Sequence, residues 1–216
     1  MPGAVIVGAG PGLGSAVARR FAREGMDVAL VARKVKTLEA VAAGVATHGG
    51  NVATIPADTT NEKTFSWGLD KATGELGVPD VVVYNAALVR PDTLTEPSRR
   101  GHLEAWSVNV VGALLTASHL LPAMAERGTG SFLVTGGMPK PKPAYTSLSL
   151  GKAGVRTLVE LLAEEYGPQG IHAASVTVAG PIAAGTAFDP DDIAEHYWRL
   201  HTQPPGRWER EVVFSG

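Results

Sequence analysis

Short, unbroken apolar runs take turns along the chain with longer stretches in which an apolar residue recurs every three or four positions. The runs at residues 5–7, 27–32, 51–55, 80–84, 130–135, 173–178 and 211–214 predict strands. Their Val and Ile content, without polar alternation, suits strands covered on both faces. The stretches 15–24, 35–47, 98–126, 147–166 and 189–200, with a further one opening near Glu62, predict helices between them. Gly167-Pro168 stops the stretch 147–166, and Pro190 stands in the first turn of the last. Strict alternation of the two patterns predicts an α/β fold of the Rossmann type. It is a doubly wound, about seven-stranded parallel sheet with helices on both faces. No internal repeat or linker interrupts it, so residues 1–216 are expected to form a single domain. Within 98–126, Leu103, Trp106, Val110, Ala113, Ala117, Leu120 and Met124 make an apolar seam that packs on a sheet or on a second copy of itself. Pro122 is expected to kink that helix near its end.

The first strand runs directly into Gly8-Ala9-Gly10-Pro11-Gly12-Leu13-Gly14 and then into a helix. Unpaired N–H groups at a helix start, with the positive end of its dipole, suit a pyrophosphate. Glycines let the backbone approach it. The pattern G-x-G-x-x-G is not met, because Leu13 stands where its last glycine would fall; the spacing that fits is G-x-x-x-G-x-G over Gly8, Gly12 and Gly14. The second strand then ends at Arg33-Lys34, where an NAD site would place a carboxylate for the ribose hydroxyls. Two cations favour a 2′-phosphate there, hence NADP(H) over NAD(H). Asp58, at the end of the third strand, stands where it could accept a bond from an adenine amino group, or, with its neighbours to Asn61, cap the next helix. The fourth strand ends at the small residues Asn85-Ala86-Ala87, where a ligand needs room.

Composition narrows the picture. The formal charge of −2 and a pI near 6.3 offer no basic surface for nucleic acid, and there is no apolar segment of membrane-spanning type without interruption. Cysteine is absent, which excludes thiolate nucleophiles and Cys-ligated zinc. His196 and His201 are five apart, off the spacing that aligns two ligands on a helix face, so no metal site is expected. His102 is given no role. The loop 138–143 holds three prolines and two lysines and is expected to be stiff, extended and surface-facing. The cytoplasm is the default compartment.

Taken jointly, Gly8/Gly12/Gly14, Asp58, Asn85-Ala86, Asn109, Lys152 with Gly151, Ala153 and Gly154, and Gly180-Pro181-Ile182 resemble the short-chain dehydrogenase/reductase family over nearly the whole chain. The resemblance implies hydride transfer with NAD(P)(H), a small-molecule substrate, and a homodimer or homotetramer built through the two long helices. It implies that Gly8, Gly10, Gly12, Leu13, Gly14, Arg33, Asp58, Thr59, Asn85, Ala86, Lys152, Gly180 and Ile182 hold the cofactor, and that Asn109 and Lys152 are catalytic. The chain also departs from the family's pattern. Leu148 stands four residues before Lys152, where the family has the proton-donating tyrosine, and Gly136-Gly137 occupy the usual place of a serine, with Thr135 the nearest hydroxyl. Val7 replaces a threonine, and Pro11 takes a position often basic in members that prefer NADP, which leaves Arg33 to argue for it. Two readings follow: an oxidoreductase with altered acid chemistry that uses Tyr145, or a non-catalytic NADP(H)-binding module.

Overall fold

Among the residues that the computed structural model describes, 2–96 and 98–216, seven strands form one sheet. They are β1 (Gly3–Val7), β2 (Asp27–Ala32), β3 (Val52–Pro56), β4 (Val81–Tyr84), β5 (Gly130–Thr135), β6 (Ile171–Val178) and β7 (Glu211–Phe214). Their order is β3-β2-β1-β4-β5-β6-β7, and every neighbouring pair is parallel. On one face lie α1 (Leu13–Arg23), α2 (Val35–Ala46) and α7 (Pro190–His201); on the other lie α3 (Glu62–Leu76), α5 (Gly112–Arg127) and α6 (Thr146–Tyr166). Alternate residues of each central strand feed the two cores. Ala4 and Ile6 join Val17, Phe21, Leu38 and Tyr197, while Val5 and Val7 join Phe65, Leu120, Met124 and Leu158. Both faces are covered, which is why the strands read as unbroken apolar runs.

The strand order reverses between β1 and β4. The chain leaves β1 in one direction and returns to the other side of it, so the connections at the carboxyl ends of these two strands diverge and open a crevice. Gly8 and Asn85 are the first residues past β1 and β4, and both stand at its edge.

The helix expected over 98–126 is divided into α4 (Arg99–Trp106), a π-helical turn (Ser107–Val111) and α5. In that turn the Gly112 N–H donates to the Ser107 carbonyl, five residues back, and the Val108 carbonyl accepts from the Tyr84 hydroxyl at 2.5 Å. Gly112 makes room for this, since a Cβ there would lie 2.1 Å from the Tyr84 hydroxyl oxygen. The helix runs on through Pro122 to Arg127. By length and composition Arg99–Arg127 could cross a membrane, with a mean hydropathy of 1.5 over its best window, but its apolar side chains at 113, 117, 120 and 124 are buried against the sheet. The expected seam therefore splits. Ala113, Ala117, Leu120 and Met124 belong to the core, whereas Leu103 and Trp106 are exposed.

Candidate active site

The turn after β1 is built by contacts that only glycine permits at two positions. Gly8 has φ +90° and a Cβ on it would lie 2.3 Å from the Ala86 nitrogen; a Cβ on Gly14 would lie 2.4 Å from the Gly8 carbonyl oxygen. Gly10 and Gly12 are different, for nothing lies within 4 Å of a Cβ at either. Packing within the chain does not require glycine there, whereas a pyrophosphate resting on the backbone does. Gly12 is the N-cap of α1 and no side chain caps it; the Ser15 N–H donates to the Gly10 carbonyl at 2.9 Å, which leaves those of Leu13 and Gly14 for a ligand. Leu13 buries its side chain and can offer such a ligand its backbone alone. These residues fit the pyrophosphate of a dinucleotide.

Around this turn, Arg33 is exposed at the end of β2 and takes part in no ion pair among the described residues. Asp58 uses one carboxylate oxygen, Oδ1, to accept from the Thr60 N–H and hydroxyl at 2.9 and 2.8 Å. The cap of α3 is Asn61, whose side chain accepts from the Thr64 N–H at 3.1 Å. Thr59 is buried beside Gly112 and Tyr84.

A hydrogen-bonded column holds the crevice floor. Asn85 donates from Nδ2 to the Gly8 carbonyl at 2.8 Å and accepts on Oδ1 from the Thr135 hydroxyl at 2.8 Å. The Thr135 hydroxyl also lies 2.7 Å from that of Tyr197, a fully buried residue whose ionisation burial pushes well above its usual range. Thr135 thus spends its hydroxyl inside the protein and does not supply the substrate-oxygen donor for which its position made it the nearest candidate. Its backbone carbonyl accepts from the Lys152 ammonium at 2.6 Å. Lys152 is buried, and desolvation, aided by the nearby Arg156 cation, lowers its pKa to about 8. Arg156 in turn donates to the Gly137 carbonyl at 2.9 Å.

Asn109 lies in the π turn, 3% exposed, and its side chain grips the backbone of Leu88, accepting from the N–H at 2.8 Å and donating to the carbonyl at 3.4 Å. Gly151 packs on it, where a Cβ would come 2.6 Å from the Asn109 Cβ. Asn109 thereby ties the segment after β4 to α6, which carries Lys152.

A cavity of about 450 Å³ opens beside these groups, lined by Lys152, Leu148, Tyr145, Lys142, Gly137, Met138, Val89, Gly180 and Ile182 among others. Tyr145 is the N-cap of α6, half-buried, and the single lining residue with a side-chain hydroxyl. The residue that fixes it is Asp92, which carries no sequence signal. The Asp92 N–H donates to the Ala144 carbonyl at 3.0 Å, its carbonyl accepts from the Thr146 N–H at 3.4 Å, and its Oδ1 accepts from the Ser147 N–H at 3.0 Å. Tyr145 is thus bracketed on both sides. His102, for which the sequence offered no role, meets the Ser147 hydroxyl at 2.7 Å through Nδ1. At Gly137, with φ +154°, a Cβ would sit 3.6 Å from Lys152 Cε, so a serine has space there but not a relaxed backbone. His196 and His201 go separate ways, the first edge-on to Phe214 and the second to the Ser131 hydroxyl at 3.0 Å.

A glycine cradle at a strand-order reversal, together with a separate cavity lined by an anchored lysine, fits a nucleotide-binding site. A family model for short chain dehydrogenases matches residues 3–189. The chain belongs to the short-chain dehydrogenase/reductase family, an oxidoreductase family. It is 30% identical over 215 residues to a short-chain dehydrogenase/reductase of Armillaria gallica, spanning 97% of this chain and 79% of that protein. It is 29% identical to an uncharacterized oxidoreductase of Staphylococcus aureus strain N315, over 93% of this chain and 91% of the other. Among solved structures, a metagenomic short-chain oxidoreductase in complex with NADP superposes with a TM-score of 0.90 at 25% identity, covering 98% of this chain and 96% of that one. An alcohol dehydrogenase from the archaeon Thermococcus sibiricus, complexed with 5-hydroxy-NADP, gives 0.87 at 28% identity, covering 99% and 95%.

Proposed function

We propose that residues 1–216 form one NADP(H)-dependent oxidoreductase domain acting on a small carbonyl or alcohol, with Tyr145 in place of the usual proton donor. The observation that carries this reading is the cavity itself, in which the one side-chain hydroxyl, on Tyr145, shares a wall with Lys152 and Leu148. The backbone at Gly8, Gly10, Gly12, Leu13 and Gly14 would hold the pyrophosphate, Arg33 the 2′-phosphate, the free Oδ2 of Asp58 the adenine, and Asn85, Ala86, Gly180 and Ile182 would line the nicotinamide end. Thr59, whose side chain is buried, would meet the cofactor through its backbone. When bound, the cofactor supplies or accepts the hydride. Lys152 would hold the ribose from its seat on Thr135. Tyr145 would pass a proton to the carbonyl oxygen as the carbon is reduced. Asn109 would act by holding Leu88, which stands between the lining residues Ala87 and Val89.

Leu148 favours the second reading, a module that binds NADP(H) without turnover, because no tyrosine stands one helical turn from Lys152. Steady-state NADPH oxidation with a panel of aldehydes, ketones and quinones separates the two. The enzyme reading expects turnover that falls at least tenfold in Tyr145→Phe. Binding of NADPH with no turnover of any panel member would establish the module.

Arg33 is expected to set cofactor preference, since its guanidinium can pair with a 2′-phosphate. NADPH should bind about five- to a hundredfold more tightly than NADH, which corresponds to ~1–3 kcal/mol, and Arg33→Ala should erase most of the difference. Fluorescence titration of both cofactors decides it; equal affinities in the parent would refute the preference. For assembly, Leu103 and Trp106 on α4, Leu114 on α5, and Leu150 and Leu161 on α6 are all exposed large apolar side chains. A stripe of this kind is usually covered by a second copy. A homodimer or homotetramer through these helices is expected, and sedimentation as a monomer at micromolar concentration would overturn it.

A further inference from the structure

The segment Pro139-Lys140-Pro141-Lys142-Pro143 is stiff by sequence, and the proposed mechanism leaves it without a task. Its geometry gives it one. Pro141 and Pro143 fix their own φ angles, and Pro143 further restricts the backbone of Lys142 before it. Ser149, buried on α6, then grips Lys142 from both sides: its hydroxyl oxygen accepts from the Lys142 N–H at 3.0 Å and its hydroxyl approaches the Lys142 carbonyl at 3.3 Å. The same carbonyl accepts from the Tyr145 N–H at 2.9 Å. The backbone of Lys142 is therefore held beside Tyr145.

The cavity's charge is one-sided. The residues that line it include two lysines and no carboxylate. Lys152 is engaged with Thr135, while Lys142 is exposed and has no ion-pair partner among the described residues. Much of the remaining lining is apolar, with Val89, Met138, Leu148, Val178 and Pro181. An apolar chamber with a free cation at one place on its wall fits a ligand with an apolar body and one anionic end. Resting on the oxidoreductase reading, we propose that the substrate is a carbonyl compound bearing a carboxylate, reduced to the matching hydroxy acid, with the carboxylate received by Lys142. Atoms balance with one hydride from NADPH to the carbonyl carbon and one proton to its oxygen. The carboxylate is unchanged and only orients the chain.

The test uses matched pairs, 4-oxopentanoate and 5-oxohexanoate against their methyl esters, with NADPH, in the parent and in Lys142→Ala, Lys142→Glu and Lys140→Ala. Lys140 lies in the same loop but does not line the cavity. The expected result is an acid-over-ester ratio of kcat/KM of about fivefold, falling with added salt. That ratio should vanish in Lys142→Ala, invert in Lys142→Glu and persist in Lys140→Ala. No acid preference in the parent, or one that survives Lys142→Ala, overturns the proposal. If neither these pairs nor any member of the carbonyl panel is turned over, the oxidoreductase reading has failed, and calorimetric titration of the same pairs into the NADP⁺-loaded protein still decides the ligand class. Tighter binding of the acids, lost in Lys142→Ala, upholds the anionic site; equal binding, or none, ends it.

Discussion

Leu148→Tyr is expected to raise the maximal rate of carbonyl reduction by about 10²-fold with little change in KM. Leu148 lies on α6 one turn before Lys152 and lines the same cavity, so the new ring would enter open space with little displacement of core atoms. Lys152 is already seated against Thr135, which means that the cation able to stabilise a phenolate needs no rearrangement to reach it. A proton donor beside the reacting oxygen acts on the chemical step and not on substrate affinity, and the gain should therefore fall on kcat. Adding Gly137→Ser should help less than its chemistry implies. The serine has room beside Lys152, but at φ +154° it must hold a backbone that side chains rarely adopt, a strain of ~1–3 kcal/mol. The double variant should accordingly melt earlier than Leu148→Tyr alone. If the parent already turns over a carbonyl rapidly, and neither Tyr145→Phe nor Leu148→Tyr changes that rate, the chain has an acid that neither substitution touches and the assignment of Tyr145 is wrong.

The sheet was legible because each central strand is buried on both faces and so leaves an unbroken apolar run, and because glycines and prolines sit at the turns. The glycine cradle was legible as well, although sequence could not separate Gly8 and Gly14, which packing demands, from Gly10 and Gly12, which it does not. What stayed hidden depends on long-range contacts. The π turn forms where Tyr84 reaches across from β4 to the Val108 carbonyl, and helical periodicity at 98–126 carries no trace of that partner. Asp92 reads as an ordinary loop acid until the fold brings it against Tyr145 and Ser147. Thr135 and Tyr197 are far apart in the chain and hydrogen-bond only because α7 packs under the crevice. The apolar seam misled in a different way. A continuous stripe cannot reveal that its second half meets the sheet while its first half projects beyond it, a division set by where α4 leaves the core.

Lys152→Met is expected to make the protein more stable near neutral pH while removing its activity. The ammonium is buried, and its pKa lies at about 8 instead of the usual 10.5 because burial penalises the charge. Between those two values the unfolded chain binds a proton that the folded protein rejects, so the parent gains stability as pH rises through that window. Below about pH 8 the folded state must carry the charge, and the full cost is present. At about 1.4 kcal/mol per pH unit that cost is roughly 3 kcal/mol, a large fraction of the stability of a domain this size. Methionine fills similar space without a charge, so the variant escapes it. Its advantage over the parent should be greatest near pH 7 and shrink by about 2–3 kcal/mol by pH 10, as urea unfolding of both proteins at a series of pH values would measure. NADPH turnover should fall by about 10²-fold in the same variant, since the cation that holds the ribose is gone. A difference in stability that stays flat from pH 7 to pH 10 would mean that Lys152 keeps its ordinary affinity for protons, and that its bond to Thr135 fully offsets its burial.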